Sequence, residues 1–174
     1  MFAETERILI RDFTSDDIPA LSRILRDPLV MEFSCNGTLT TDDTRRFIEW
    51  CISSYHRHGY GPSALIEKKT GCLVGYCGLS HTNMDGVDTV QIGYRLTPDQ
   101  WGNGFASESA SRVLDQGFEL CNVGSVIGIV STLHEASIHV LQKIGFRSFT
   151  ETCYRGWKVR VYRLSMGDWK SRNT

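Results

Sequence analysis

The chain predicts an α+β fold: a mixed, largely antiparallel sheet of about seven strands with helices on both faces. Three observations point there. Between Ser63 and Leu96 the apolar pattern runs with a period of two through three successive segments, which makes an antiparallel meander. On either side the period lengthens to that of helices, with cap residues and glycines at the joints. The 174 residues, 41% of them apolar, contain no repeat, low-complexity stretch or linker, so residues 1–174 are expected to form one domain.

Arg7–Phe13 opens as a strand in which Ile8 and Ile10 alternate with Arg7, Leu9 and Arg11. Thr14-Ser15-Asp16-Asp17 then caps a helix whose Ile18, Leu21 and Leu25 share one stripe. Asp27-Pro28 ends it, because the residue before proline disfavours helical angles. A second helix starts at Thr40-Thr41-Asp42-Asp43, buries Phe47, Trp50, Cys51 and Tyr55, and breaks at His58-Gly59-Tyr60-Gly61-Pro62. Ser63–Lys68 and Cys72–Ser80 pair around Lys69-Thr70-Gly71, and a turn over Asn83–Val87 leads into Thr89–Leu96. That strand puts Val90, Ile92, Tyr94 and Leu96 on one face and Gln91, Gly93 and Arg95 on the other. Trp101-Gly102-Asn103-Gly104-Phe105-Ala106 opens a long helix that keeps its apolar spacing through Cys121. Ser125–Ser131 is a buried β-branched strand, Glu135–Ile144 a helix closed by Gly145, and Arg147–Tyr154 with Lys158–Ser165 a terminal hairpin around Arg155-Gly156.

Composition excludes several classes of function. Nineteen basic against twenty acidic side chains leave a net charge of -1 and no field that draws the protein to nucleic acid or anionic lipid. Glu4 and Glu6 stand where a secretion signal needs apolar residues, and no apolar run approaches the ~20 residues of a membrane span, so a cytoplasmic location is expected. Cys35, Cys51, Cys72, Cys77, Cys121 and Cys153 form no Cys-x-x-Cys pair and are expected to be reduced and mostly buried. His56 and His58 lack nearby carboxylate or cysteine partners, and no metal site is expected.

The turn before the long helix is the chemical signal. Gly102 and Gly104 permit left-handed backbone and close approach of a ligand. No Ser, Thr, Asp or Asn precedes Phe105 as a cap, so the amides around Gly104–Ala106 are available to an anion, with phosphate the natural partner. The alternative is an ordinary glycine turn before a core helix. A dinucleotide fingerprint does not fit, because Thr97–Trp101 separates the strand from the first glycine and Ser107 occupies the third small-residue position. A nucleotide P-loop fails too, since the turn has no Gly-Lys-Ser or Gly-Lys-Thr.

Four stretches in order carry a family resemblance: Thr5-Glu6-Arg7-Ile8-Leu9-Ile10-Arg11; Leu73-Val74-Gly75-Tyr76-Cys77-Gly78-Leu79; Ile92-Gly93-Tyr94 followed by Trp101-Gly102-Asn103-Gly104-Phe105-Ala106-Ser107-Glu108; and Ala136-Ser137 with Lys143-Ile144-Gly145-Phe146. Over nearly its full length the chain resembles GNAT-superfamily N-acetyltransferases, in the branch similar to ribosomal-protein N-terminal acetyltransferases (Rim-type). The resemblance implies a GNAT-like sheet with a splayed strand pair that admits acetyl-CoA. It places the pyrophosphate on Trp101, Gly102, Asn103, Gly104, Phe105 and Ala106, and the pantetheine arm on the backbone of Tyr94, Arg95 and Leu96. Splayed strands leave unpaired backbone groups that a ligand carrying amides can satisfy.

Acetyl transfer needs a neutral amine, a donor for the developing oxyanion and a proton for the departing thiolate. The resemblance offers the backbone N–H of Leu96 as the oxyanion donor and Ser137 as the proton donor. Ser137 shares an inward stripe with Val140, Leu141 and Ile144, and its alternative is a small packing residue that back-bonds within its helix. His134 stands where relatives usually have asparagine, and it either touches the cofactor, brings a group titrating near neutrality beside the thioester, or caps the helix. The usual bases are missing: Gln91, Gly156 and Leu141 occupy positions where relatives carry glutamate, glutamate and tyrosine. Asp88, Glu151 and His81 are either bases acting through water or ordinary solvated surface groups. Asn103 replaces a frequent basic residue of the turn, and Arg112, Lys143 and Arg147 are candidates for the terminal nucleotide phosphate. Tyr55, Tyr60 and Trp50 with the Asn36-Gly37-Thr38 loop are expected to wall the acceptor pocket or pack in the core.

The expected activity is transfer of an acetyl group from acetyl-CoA to a primary amine by direct attack. A protein or peptide N-terminal α-amine leads. A small amine, such as a polyamine or aminoglycoside, and a CoA-binding module with little turnover are the alternatives. A homodimer is the expected assembly, as is common in the superfamily.

Overall fold

The computed structural model describes residues 2–84 and 86–172. Asp85, inside the turn expected over Asn83–Val87, and the ends of the expected 1–174 domain lie outside the described residues.

Eight strands form one sheet: β1 (Phe2–Glu4), β2 (Ile8–Arg11), β3 (Pro62–Glu67), β4 (Leu73–Met84), β5 (Val87–Leu96), β6 (Ser125–Ser131), β7 (Phe149–Tyr154) and β8 (Trp157–Ser165). Their spatial order is β1-β2-β3-β4-β5-β6-β8-β7, antiparallel throughout except for β5 beside β6. The helices are α1 (Ile18–Leu25), α2 (Pro28–Met31), α3 (Thr41–His58), α4 (Phe105–Glu119), α5 (Glu135–Lys143) and α6 (Met166–Arg172). No helix among the described residues is long and apolar enough to cross a membrane.

Side-chain alternation sorts the core into two layers. From β3, Leu65 points into one layer with Phe105, Ala110, Val113 and Leu114 of α4 and Ile138 and Leu141 of α5. Ala64 points into the other with Leu21 and Leu25 of α1 and Ile48 and Cys51 of α3. Helices therefore cover both faces, as the amphipathic stripes predict.

The expected elements form with four differences. The sheet has eight strands because Phe2–Glu4 pairs with β2 at the edge, Ala3 opposite Ile10; three residues are too few to display a period. Pro28 does stop α1, but it also opens α2, with Asp27 Oδ1 accepting the Leu29 N–H at 2.9 Å; proline suits a first helical position. β4 runs on to Met84 and pairs with Val87, so the β4–β5 hairpin is longer than its apolar pattern suggested. Met166–Arg172 adds a terminal helix capped by Ser165, whose hydroxyl accepts the Asp168 N–H at 3.1 Å and donates to the Asp168 carboxylate at 2.6 Å.

β5 positions the site. On one side it pairs with β4 from Met84 opposite Val87 to Gly75 opposite Leu96, so closely that a Cβ on Gly75 would lie 2.0 Å from the Arg95 carbonyl. On the other, its ladder with β6 is the single pair Gln91 and Ile127. Past that pair the strands separate. The Thr97 N–H donates to the Val74 carbonyl at 2.9 Å, which assigns the odd-numbered peptide groups to β4. Tyr94 and Leu96 therefore turn their N–H and C=O groups to the open side.

Candidate active site

A cavity of 480 Å³ lies along the open edge of β5. Tyr94, Arg95 and Leu96 line it from β5; Trp101, Gly102, Gly104, Phe105 and Ala106 from the turn into α4; His134 and Ser137 from the start of α5. Of the residues expected on β5, in the turn and at the start of α5, only Asn103 stays outside the wall.

Gly102 and Gly104 take left-handed angles, φ 76° and 82°, and Gly104 is the N-cap of α4 without any side-chain cap hydrogen bond. The nearby hydroxyls turn away from the amides: Ser107 donates to the Gly104 carbonyl at 3.0 Å and Ser109 to the Phe105 carbonyl at 2.8 Å. Bare amides at a helix start suit an anion.

The turn is tied to β2 by Arg7. Its Nε and Nη2 donate to Glu108 Oε2 at 2.8 and 2.5 Å, its backbone N–H donates to Glu108 Oε1 at 3.1 Å, and Nη1 donates to the Asn103 carbonyl at 2.9 Å. The guanidinium also sits 4.5 Å from the centre of the Phe105 ring. Asn103 thus serves the turn through its main-chain oxygen. Burial alone would raise the Glu108 carboxyl, but hydrogen bonds from Thr5 and Arg7 outweigh it and hold its pKa below the ordinary value. Sequence reasoning passed over this pair although both residues lie inside the matched stretches.

On the open edge of β5, two carbonyls are met by side chains of the chain itself. Arg95 Nη1 donates to the Tyr94 oxygen and Trp101 Nε1 to the Leu96 oxygen, both at 2.9 Å. Opposite, Ser137 Oγ lies 2.9 Å from Tyr94 Oη, which also donates to the Ser137 carbonyl at 3.2 Å. Burial pushes the Tyr94 phenol upward in pKa, so it stays protonated. Ser137 therefore meets a phenol across the cleft instead of back-bonding in its own helix. The phenol was the missed half of this pair, since Tyr94 was expected to act through its backbone.

His134 forms no side-chain cap bond to α5, which corrects the capping alternative. Its ring stacks on Phe33 with centroids 4.2 Å apart and 16° between planes. Burial first, then the Arg95 charge, lowers its pKa to about 4, leaving it neutral near pH 7.

The residues expected to wall the acceptor pocket or pack in the core do not line this cavity. Leu29, Val30, Glu32 and Phe33, in and just after α2, line the cavity, while Tyr55, Tyr60, Trp50 and residues 36–38 do not. Tyr55 is held in the core, accepting the Phe13 N–H at 3.2 Å and donating to the Pro62 carbonyl. Tyr60 is buried beside His81, 2.7 Å from phenol oxygen to Nε2, and Trp50 packs outward on Phe47. The base candidates are likewise placed elsewhere: Asp88 accepts from Asn83, Glu151 pairs with Arg160, and His81 meets Tyr60. Glu32, exposed at the rim, is the one acid among the described residues of the wall. Of the phosphate candidates Lys143 lines the cavity, whereas Arg112 and Arg147 do not.

Cys51 and Cys77 are buried and Cys121 partly so, but Cys35, Cys72 and Cys153 are exposed, so the cysteines are free without being mostly buried. Among the described residues no group of three or more His, Cys, Asp or Glu side chains is arranged to hold a metal ion.

Residues 7–147 match the family described as the acetyltransferase (GNAT) domain. The chain is 33% identical to the uncharacterized protein YkkB of Bacillus subtilis, over 91% of this chain and 92% of YkkB. It is 27% identical to the uncharacterized N-acetyltransferase YnaD of the same organism, over 97% and 99%. A solved GNAT-family acetyltransferase from Bacillus anthracis superimposes with a TM-score of 0.82 at 26% identity, covering 96% of this chain and 99% of that one. At 15% and 14% identity, the ribosomal-protein-S5-alanine acetyltransferase of Vibrio fischeri (TM-score 0.80; 97% and 98% covered) and the spermidine N-acetyltransferase of Vibrio cholerae (0.76; 95% and 99%) share the fold alone. Open strand edge, capless glycine turn and sequence agree: the chain belongs to the GNAT acetyltransferase family, whose members move the acetyl group of acetyl-CoA to amines.

Proposed function

We propose that the enzyme acetylates an α-amine, that of a protein or peptide N-terminus in the manner of the ribosomal-protein branch, by direct attack on the thioester of acetyl-CoA. The observation that carries this reading is the scarcity of carboxylates: beside the imidazoles of His134 and His139, Glu32 at the rim is the wall's one acid among the described residues, and the strand position of the usual glutamate holds Gln91, bonded to Ser80 at 3.3 Å. An α-amine with a pKa of about 7.7–8.0 is partly neutral near pH 7, whereas a lysine amine at about 10.4 needs a base to supply the attacking form.

The bare amides of Gly104–Ala106 hold the diphosphate, and the open peptide groups of Tyr94 and Leu96 take the amide-bearing arm. The Leu96 N–H receives the oxyanion as the amine adds to the thioester carbonyl. The added amine gives up a proton to water; as the carbon–sulfur bond breaks, Ser137, oriented by Tyr94 Oη, gives its proton to the thiolate and regains one from solvent. No acyl-enzyme forms.

A polycationic acceptor is the weaker reading, because it would meet two cations, Arg95 and Lys143, against one exposed acid in the wall. The deciding experiment pairs calorimetry with CoA and a thiol-release assay over N-terminal peptides, spermidine, an aminoglycoside and a lysine side-chain amine. Turnover with peptides ahead of the other amines is expected. Preference for the polyamine or aminoglycoside overturns the α-amine reading, and CoA binding with no amine-dependent release makes the protein a binding module.

A further inference from the structure

We propose that Arg95 is a specificity residue that binds a carboxylate carried by the acceptor on the same residue as the reacting amine. The inference rests on the α-amine reading and names the kind of α-amine. Its grounds are the state of the Arg95 side chain. Arg95 lines the cavity, and as the odd neighbour of Tyr94 and Leu96 on β5 its side chain leaves the sheet on the face of α1 and α3, where its charge reaches Tyr76. Its charge also reaches the His134 ring in the cavity wall.

This guanidinium is underused. Nη1 is engaged with the carbonyl of Tyr94, while Nε is buried and has no hydrogen-bond partner among the described residues. No carboxylate of the described residues forms an ion pair with it. Arg7, Arg11, Arg45, Arg46 and Arg160 each have one, on Glu108, Asp17, Asp42, Asp43 and Glu151. A part-buried cation with an unsatisfied donor is costly until an anion arrives, and the planar fork matches a carboxylate. The phosphates of acetyl-CoA have their own place at the capless turn and near Lys143. The ring that the Arg95 charge reaches, His134, is instead neutral and stacked on Phe33.

The carboxylate has two sources with one chemistry: the side chain of an N-terminal Asp or Glu in a peptide, or the main-chain carboxylate of a free amino acid. Two isosteric pairs separate them, an Asp-initiated peptide against its Asn counterpart and free alanine against alaninamide. The expected result is a kcat/KM preference of at least about tenfold for the charged member of one pair, the scale of one charge-assisted hydrogen bond. Which pair shows it identifies the source. In Arg95→Met that preference falls toward one through a rise in acceptor KM, and Arg95→Lys, which keeps the charge and loses the fork, restores part of it. Equal rates within both pairs overturn the Arg95 proposal while leaving the α-amine reading intact. A loss of CoA affinity in Arg95→Met as large as the loss of selectivity also overturns it, because the anion is then the cofactor's. Turnover of side-chain amines ahead of every α-amine defeats the reading beneath it.

Discussion

β5 has two edges, and they are treated differently. Toward β4 its ladder continues to Leu96; toward β6 it stops after Gln91. A strand that leaves half of its peptide groups unpaired in the middle of a sheet forgoes stabilising bonds, and such groups are normally satisfied elsewhere. Here two carbonyls find Arg95 and Trp101, donors that rotamer changes can withdraw. The paired edge is built for rigidity and the open edge for exchange, so substitutions on the open side should disturb binding and turnover more than folding.

The largest effect is expected at the turn that closes the open side. Gly104→Val forces a β-branched residue into a φ of 82° and crowds the bare amides, so the CoA dissociation constant should rise at least about a hundredfold by calorimetry. A normal constant would refute the phosphate role. Next comes the cleft itself: Ser137→Ala should lower kcat by about a hundredfold with a much smaller change in CoA affinity. Tyr94→Phe should give a smaller loss in the same assay, since it removes the orienting phenol and keeps the Ser137 hydroxyl. An unaltered rate in Ser137→Ala would remove it as the acid.

Arg7→Ala sharpens the comparison from the paired side. It frees the turn from β2 and leaves Glu108 unopposed in the first turn of α4, beside the expected anion. CoA affinity should fall severalfold, and thermal unfolding should show a loss of about 1 kcal/mol, the scale of a partly exposed ion pair. The smallest effect is in pH. His134 is lowered in the fold, so between the ordinary imidazole value and about 4 the unfolded chain holds a proton that the native chain does not. Stability should therefore decline as pH falls through that window, by a modest amount given the ring's partial exposure. His134→Asn should flatten the difference in Tm between pH 7 and pH 5.

What the sequence made legible follows the reach of each interaction. Ser125–Ser131 begins and ends where its β-branched run does, and the second helix starts at its Thr40–Asp43 capping box, with Asp43 N–H on Thr40 Oγ1 at 3.1 Å. Both signals are local. The glycine turn was legible for the same reason. Tyr94–Ser137 and Arg7–Glu108 join residues distant in the chain, and only the folded sheet brings them together. Sequence left Tyr55 and Tyr60 open between pocket and core because they carry the residue types of both; in the fold they are engaged by Phe13 and by His81. The four-residue α2, which supplies the wall, is too short to reveal a stripe.

The indole of Trp101 is about half exposed, yet its N–H is spent on the Leu96 oxygen. A ligand donor that takes the indole's place on that oxygen evicts it, and an evicted indole changes its emission. The enzyme thus carries a built-in optical gauge of loading. Titrating wild type and Trp101→Phe with CoA should show a quench or wavelength shift in the first that is missing from the second.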